Sequence, residues 1–347
     1  MKFHLKQIQD SLLSSQLTEP QIISILELIS KGFTSNRSDI KKYVNDEDFV
    51  SAYTYFYLPT NIPKLEFLLN ELSEDLINKI QKSHIVDVGT GPGTFAFAFD
   101  EYFNGEVTVT GVDSSLFMLK QATKINENLY NNNSISFLSE VPSDFVNGTL
   151  FFGHSLNEMG EKRAIDLIEM HDPETIIFIE PGTKAVFNQM ISIRNNLSHR
   201  GYDSHYPCQN AKMKCPVAEK SKKGIDDWCH QVIRTTHDPE VERLSQLIKL
   251  DRKVMPLIAH VYSKSQRQSK QKFRMIRFLR ESKFSFDWEV CFEEDNSLVS
   301  KNVEVLKKSL SKKEIKELKS INVGHEYDFE IIKKLSDTHY RVKLISL

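Results

Sequence analysis

Asp87-Val88-Gly89-Thr90-Gly91-Pro92-Gly93-Thr94 is the stretch on which the reading of this chain turns. It follows His84-Ile85-Val86, a β-branched run that predicts a strand, and leads into residues 94–103, which read as a helix. Glycines at such a junction let the backbone approach a ligand closely, and the helix start offers unpaired N–H groups. A dinucleotide fingerprint would read G-x-G-x-x-G, but Thr94 stands where its last glycine should be. The pattern is instead D-x-G-x-G-x-G. The acid precedes the first glycine, and no phosphate-binding lysine follows the last.

An acid at the strand tip disfavours a pyrophosphate and favours a ligand carrying positive charge. S-adenosylmethionine, with its amino group and sulfonium, is such a ligand. The next predicted strand, Val107-Thr-Val-Thr-Gly-Val-Asp113, ends in a second acid 20 residues beyond Gly93. A carboxylate there can accept both hydroxyls of a ribose, the role of the matching acid in nucleoside-binding α/β folds. Asp87, Gly89, Gly91, Gly93 and Asp113 are therefore the candidate cofactor-binding residues.

Outward from this motif the chain alternates. Ser134-Ile-Ser-Phe-Leu, Thr149-Leu-Phe-Phe-Gly and Thr175-Ile-Ile-Phe-Ile read as further strands. Helical stretches fall at 114–126, 161–169 and 184–199. Strands and helices at this spacing predict a parallel sheet covered on both faces, an α/β fold of Rossmann-like type. Residues 3–45 predict two short helices, with Thr18 as N-cap of the second. Residues 48–81 are helical with a break near Pro59 and Pro63. The expected organisation is a helical region over 1–80, the cofactor-binding core over 81–199, a basic, Cys-rich metal-binding insertion over 200–273, and C-terminal strands over 274–347. These last strands would complete the sheet and carry a charged helix at 307–319.

Composition limits the function classes. The 347 residues are 40% hydrophobic and 27% charged, a globular balance. No apolar run could span a bilayer, and the first residues lack the apolar core of a signal peptide. A soluble, cytoplasmic protein with no membrane partner is expected. The net charge of −2 conceals an asymmetry, because residues 183–285 hold 21 Lys/Arg against 9 Asp/Glu. Arg194, Arg200, Lys212, Lys214, Lys222, Lys223, Arg234, Arg274, Arg277 and Arg280 lie in this block, as expected of a face built for a polyanion.

Cysteine usage is equally uneven. Cys208, Cys215 and Cys229 fall close together, Cys291 stands apart, and the first 207 residues have none. Without a secretion signal, clustered thiols point to metal binding or redox work rather than disulfides. The spacing lacks paired C-x2-C knuckles and does not choose a metal.

Catalytic groups belong at the tips of the fourth and fifth strands. The fourth ends Gly153-His154-Ser155-Leu156-Asn157-Glu158 and the fifth Glu180-Pro181-Gly182-Thr183. His154, Asn157 and Glu158 are the candidate catalytic residues, for substrate contact or proton removal. No cysteine nucleophile stands there for cytosine C5 methylation. The Asn/Asp-Pro-Pro-aromatic run of exocyclic-amine methyltransferases is missing too.

The glycine loop and Asp113 resemble motifs of the Rossmann-like S-adenosylmethionine-dependent methyltransferases. That resemblance implies seven strands with an antiparallel last strand. Four further features occur in one order: Tyr55-Phe-Tyr-Leu-Pro-Thr60, Leu156-Asn-Glu158, Glu180-Pro-Gly-Thr183 and Pro207-Cys…Cys215-Pro…Asp227-Trp-Cys-His230. Together they resemble the methyltransferase-like family associated with the small ribosomal subunit, over roughly residues 50–330. The resemblance implies that Cys208, Cys215, Cys229 and Cys291 ligate a 4Fe-4S cluster, with zinc as the alternative. It also implies that the partner is small-subunit ribosomal RNA or the small subunit itself. The first cysteine pair departs from the family pattern, with Gln209-Asn210 where Pro-His is common. Two readings of function follow: an rRNA methyltransferase, or a non-catalytic assembly factor that binds S-adenosylmethionine and the cluster. A small-molecule methyltransferase is disfavoured by the basic block.

Overall fold

The computed structural model describes residues 3–35, 45–267, 272–319 and 321–345. In chain order the elements are α1 (Leu5–Asp10), α2 (Glu19–Ser35), α3 (Glu47–Leu69), α4 (Glu74–Lys82), β1 (His84–Val88), α5 (Thr94–Tyr102), β2 (Thr108–Val112), α6 (Leu116–Ile125), β3 (Ile135–Leu138), β4 (Thr149–Gly153), α7 (Leu156–Met159), α8 (Glu161–His171), β5 (Thr175–Pro181), α9 (Lys184–His199), β6 (Asp203–Tyr206), α10 (Pro216–Lys222), β7 (Gln231–Arg234), α11 (Pro239–Leu247), β8 (Val254–Ser263), β9 (Lys272–Glu281), β10 (Ser285–Glu294), β11 (Ser297–Leu306), α12 (Lys312–Lys319), β12 (Glu326–Ser336) and β13 (His339–Leu344). They fall into two compact units. One comprises residues 1–159, 166–173 and 235–255, the other 160–165, 174–234 and 256–347.

In the first unit, β3, β2, β1 and β4 lie side by side in that order, all parallel. The α/β expectation holds here, with β1 and β4 reading as nearly continuous apolar runs, the mark of strands buried on both faces. β1 and β4 are almost wholly buried. The predicted α6 starts on Ser115, whose Oγ accepts the N–H of Met118.

α3 departs from expectation, running unbroken through Pro59 and Pro63. It is apolar on all sides and buried along most of its length, so packing compensates for the ladder bonds that the prolines remove. The Thr60 hydroxyl bonds back to the Phe56 carbonyl at 3.0 Å. Asp46 caps the helix start by accepting from Asp48 and Phe49. Of the two predicted N-terminal helices, α1 and α2 are present, and Thr18 accepts the first backbone bond of α2 from Ile22. The rest of that predicted stretch, 36–44, lies outside the described residues.

In the second unit β8 runs antiparallel between β5 and β6, with β7 also beside it. The antiparallel strand implied by the resemblance is therefore 254–263, within the stretch expected to be an insertion. The C-terminal strands do not complete a sheet as expected. β9 to β13 close on themselves as a barrel in the order β10-β11-β13-β12-β9. The physical reason is their alternation. Phe286, Trp288, Val290 and Phe292 of β10 point one way and join Phe273, Val303, Val305, Phe329, Tyr340 and Val342 in a separate core. Residues 235–255 likewise belong with the first unit rather than with a continuous insertion.

Candidate functional site

The glycine loop leaves β1 and enters α5. Gly89, Gly91 and Gly93 take φ of 77°, 55° and 86°, a region open to glycine at little cost. A side chain at Gly89 would strike Ser155 Cβ at 2.5 Å, and one at Gly93 would strike Phe97 at 2.6 Å. Gly91 faces open space on its Cβ side, with nothing within 4 Å, so the backbone is bare where a ligand would approach. Gly89 and Thr90 donate to the Val112 carbonyl at 2.7 and 3.0 Å, fastening the loop to the tip of β2.

Asp87 is fully buried at the end of β1. Its Oδ2 accepts from the Thr90 hydroxyl at 2.7 Å. Burial raises its pKa to about 7. The Thr90 bond pulls against that shift, and the Asp113 charge adds to it. Asp113 Oδ2 accepts the Gly91 N–H at 2.9 Å and Oδ1 the Ser115 N–H at 2.8 Å. Its carboxylate thus braces the loop and the start of α6, and with Ser114 as a third backbone donor about one acceptor site remains for a hydroxyl. Burial raises the Asp113 pKa as well. The five residues expected to hold the cofactor are thus brought to one place.

The β4 tip differs from what proton removal needs. His154 has φ of 60°, and its ring stacks on Phe95. Its Nε2 accepts from the Lys64 ammonium at 2.9 Å. Burial, with Lys64 and Arg252 nearby, holds the His154 pKa well below the usual histidine range. A neutral imidazole whose lone pair is already taken makes a poor base, so the geometry suits His154 to a positioning role. Asn157 is half-buried on α7 and Glu158 exposed.

Sequence reasoning missed the groups around this tip. Tyr53 and Tyr57 of α3 stack at 4.8 Å between ring centroids, and the Arg252 guanidinium lies 5.6 Å from the Tyr57 ring. Arg252 donates to Asn61 at 2.6 Å and Thr60 at 3.2 Å. Burial raises the Tyr53 pKa, and Tyr57, Glu158 and Asp113 add to the effect. The available signal was the aromatic run at 53–57, whose helical spacing gives no hint of what it faces.

In the second unit the four cysteines converge. Each of the four residues is partly exposed as a whole. Burial and the neighbouring thiols raise the pKa of Cys215, Cys229 and Cys291. Cys291 is on the β10 face opposite the barrel core, and Cys215 is the N-cap of α10. Among the described residues, no group of three or more His, Cys, Asp or Glu gathers as tightly as a metal ion requires.

Two arginines of the basic block are structural. Arg194 and Arg274 are buried, at 1% and 2% exposure. Arg194 donates to Cys208 Sγ at 3.4 Å and to the Asn210 and Met213 carbonyls at 3.0 and 2.6 Å. Arg274 donates to the Pro207 and Gly324 carbonyls at 3.0 and 2.6 Å and lies over the Tyr206 ring. The expectation that they face phosphates is corrected, because they are buried and their donors go to carbonyls of the cysteine loop and of Gly324. Arg277 and Arg280 pair with Asp227 and Asp287. Lys212, Lys214, Lys222 and Lys223 stay exposed.

The family model described as mitochondrial small ribosomal subunit Rsm22 matches residues 47–309. No curated protein matches the sequence. Among solved structures, a candidate RNA methyltransferase of Pyrococcus horikoshii is 10% identical, over 58% of this chain and 81% of that one, at a TM-score of 0.36. Magnesium protoporphyrin IX methyltransferase of Synechocystis, solved with S-adenosylmethionine bound, is 16% identical over 53% and 87%, at 0.33. An S-adenosylmethionine-dependent methyltransferase of Thiobacillus denitrificans, solved with S-adenosylhomocysteine, is 15% identical over 59% and 90%, also at 0.33.

Proposed function

The chain belongs to the mitochondrial small ribosomal subunit Rsm22 family, and from that premise we propose that it is an S-adenosylmethionine-binding, methyltransferase-like protein of the small ribosomal subunit. The observation that carries the cofactor is the bracing of the open glycine loop by Asp113, with Asp87 buried beneath it. The residues fit the group. Asp87 would face its positive charge, Asp113 its ribose hydroxyls, and Gly89, Gly91 and Gly93 would leave room for its backbone contacts. When bound, the cofactor supplies an electrophilic methyl group.

Between the two readings of activity, the β4 tip favours the assembly factor. With the His154 lone pair taken by Lys64, this chain holds a proton-accepting position closed at the point where a base would act. Mass spectrometry of small-subunit rRNA from a deletion strain, rescued by wild type and by Asp87→Ala, separates the readings. A methyl group lost on deletion and restored only by wild type supports the enzyme. Unchanged methylation with defective subunit assembly supports the assembly factor.

The proposal includes a 4Fe-4S cluster on Cys208, Cys215, Cys229 and Cys291. Four thiolates are the usual ligand set for such a cluster, and the support here is that the cysteines lie near enough to raise one another's pKa, although they do not gather as tightly as a bound metal requires. Zinc on the same thiols is the alternative. When bound, the cluster supplies cross-links that unite one loop, the α10 start and β10. Arg194 and Arg274 also hold the loop, through the Asn210, Met213 and Pro207 carbonyls. A cytoplasmic site of action is also part of this proposal, checked by co-sedimentation with cytoplasmic rather than organellar small subunits. Among the described residues, no helix is long and apolar enough to cross a membrane.

A further inference from the structure

β9 to β13 form a closed five-stranded barrel in which β11 and β13 are the parallel pair, and α12 follows β11. Numbered within the barrel, the strands run 1-2-3-5-4 and back to 1, with the helix between the third and fourth. That is the topology of oligonucleotide-binding barrels, which take their ligand over strands two and three. Here those strands are β10 and β11, joined by a tight turn in which Asp295 and Asn296 have φ of 49° and 56°.

Topology alone does not make a binding site, and the barrel's own surface argues against one. The outward residues of β10 include Asp287, Glu289 and Glu293, which would repel a phosphate. Lys220 of the cysteine segment and Arg277 and Arg280 of β9 offset two of these acids, Glu289 and Asp287. Lys220 of α10 bonds Glu289 at 2.6 Å and Ser300 at 3.1 Å, which seats the helix on β10 and β11. Arg277 pairs with Glu289 from the other side, and Arg280 with Asp287. Between this segment and β11 runs a groove of about 660 Å³. Five lysines line it (Lys212, Lys214, Lys220, Lys223 and Lys301) against a single acid, Glu219. Glu219 is itself held by Lys222 at 2.7 Å. Lys214 and Lys223 are exposed and act on Glu219 only through space.

We propose that this groove grips the phosphodiester backbone of single-stranded RNA, with Lys214 and Lys223 as its principal phosphate contacts. The inference rests on the reading of the chain as a small-subunit RNA-binding protein and names the surface that does the binding. The barrel supplies the floor, and the cysteine segment supplies Lys214 and Lys223, the exposed charges at its rim. Lysine contacts to phosphate carry no sequence information, so the groove takes any single strand of suitable shape.

The test titrates the full-length protein with labelled oligouridine over a range of salt. Wild type, Lys214→Glu/Lys223→Glu, and the control Lys312→Glu/Lys313→Glu on exposed α12 are compared. Groove reversal should weaken binding at least tenfold at low salt. It should also flatten the salt slope by roughly 0.7 for each lost phosphate contact, while the control changes neither. Unchanged thermal melting confirms that the variants fold. Equal losses in both double variants would overturn the groove, as would wild-type affinity in the groove variant. Equal binding of poly-glutamate would also overturn it, by showing a general polyanion surface. If wild type binds small-subunit RNA but the groove variant binds it equally well, only this inference fails. If wild type binds no RNA at all, the broader reading fails with it.

Discussion

Trp228 donates its indole N–H to the carbonyl oxygen of Gly182 across 3.1 Å. The bond joins two motifs that the sequence separates, the Glu-Pro-Gly-Thr after β5 and the Asp-Trp-Cys-His around the third cysteine. Gly182 has no room for a side chain, since a Cβ there would meet Pro256 at 2.8 Å and the Leu257 nitrogen at 2.9 Å. Its neighbour Thr183 caps α9 by accepting from Val186. The Glu-Pro-Gly-Thr run is thus a close-packed corner on which the cysteine segment rests.

Gly182→Ala should lower stability by about 1–3 kcal/mol, because the clash falls on backbone. Trp228→Phe, which keeps the packing but drops the donor, should cost about 1 kcal/mol. Chemical denaturation of both variants measures these shifts. A neutral Gly182→Ala would show that the corner is loose.

Arg274 offers a contrast with the surface lysines. Replacing it with Leu removes donors from the Pro207 and Gly324 carbonyls and one of the two arginine partners of half-buried Glu326. The expected loss is about 3–5 kcal/mol of stability, the range for breaking a buried charge pair. The salt slope of RNA binding should not change in whatever fraction folds. A stable Arg274→Leu protein with a flattened slope would return this residue to the phosphate-facing set.

The fold was legible where its signals are local. β1 to β5 each announce themselves as short apolar runs between helices, and the glycine loop marks the end of β1. The run 254–263 was missed because Pro256 and its charged neighbours mask an apolar strand. The break at Pro59 and Pro63 was misread because propensity is local, while α3 is held by burial on every side. The barrel was illegible because its closing order depends on pairings between distant strands. The same holds for Lys64 and Arg252, which meet at His154 only after folding. The cysteines were legible as a group together with the strand that carries Cys291, but the barrel to which that strand belongs was not.

The cysteines carry a prediction that does not depend on activity. Anaerobically purified protein should be brown, with absorption near ~400 nm from thiolate-ligated iron. Each single Cys→Ser should lose the colour and loosen the segment around α10, with the first unit still folded. Stoichiometric zinc without iron would exclude the cluster and keep the site. Full stability with all four replaced would exclude both.

Asp87 sets a pH dependence with a definite sign. Its folded pKa of about 7 lies above that of an unfolded aspartate. Between the two values the native chain holds a proton that the unfolded chain has released. Its contribution to stability is therefore present at low pH and is lost as pH rises toward 7. Asp87→Asn should flatten that part of the stability profile. Ligand binding runs the other way. A cationic ligand selects the ionised carboxylate, so affinity should fall by up to about tenfold per pH unit below 7. Equal affinity at pH 5.5 and 7.5 (roughly spanning that pKa) would show that Asp87 does not face the ligand's charge.

Calorimetric titration of the full-length protein with S-adenosylmethionine at neutral pH tests the central claim most directly. Wild type should bind one equivalent. Asp113→Ala should bind more weakly by about 1–3 kcal/mol, the cost of leaving hydroxyl donors without a charged acceptor. No heat from wild type, or equal affinity in wild type and Asp113→Ala, would contradict it.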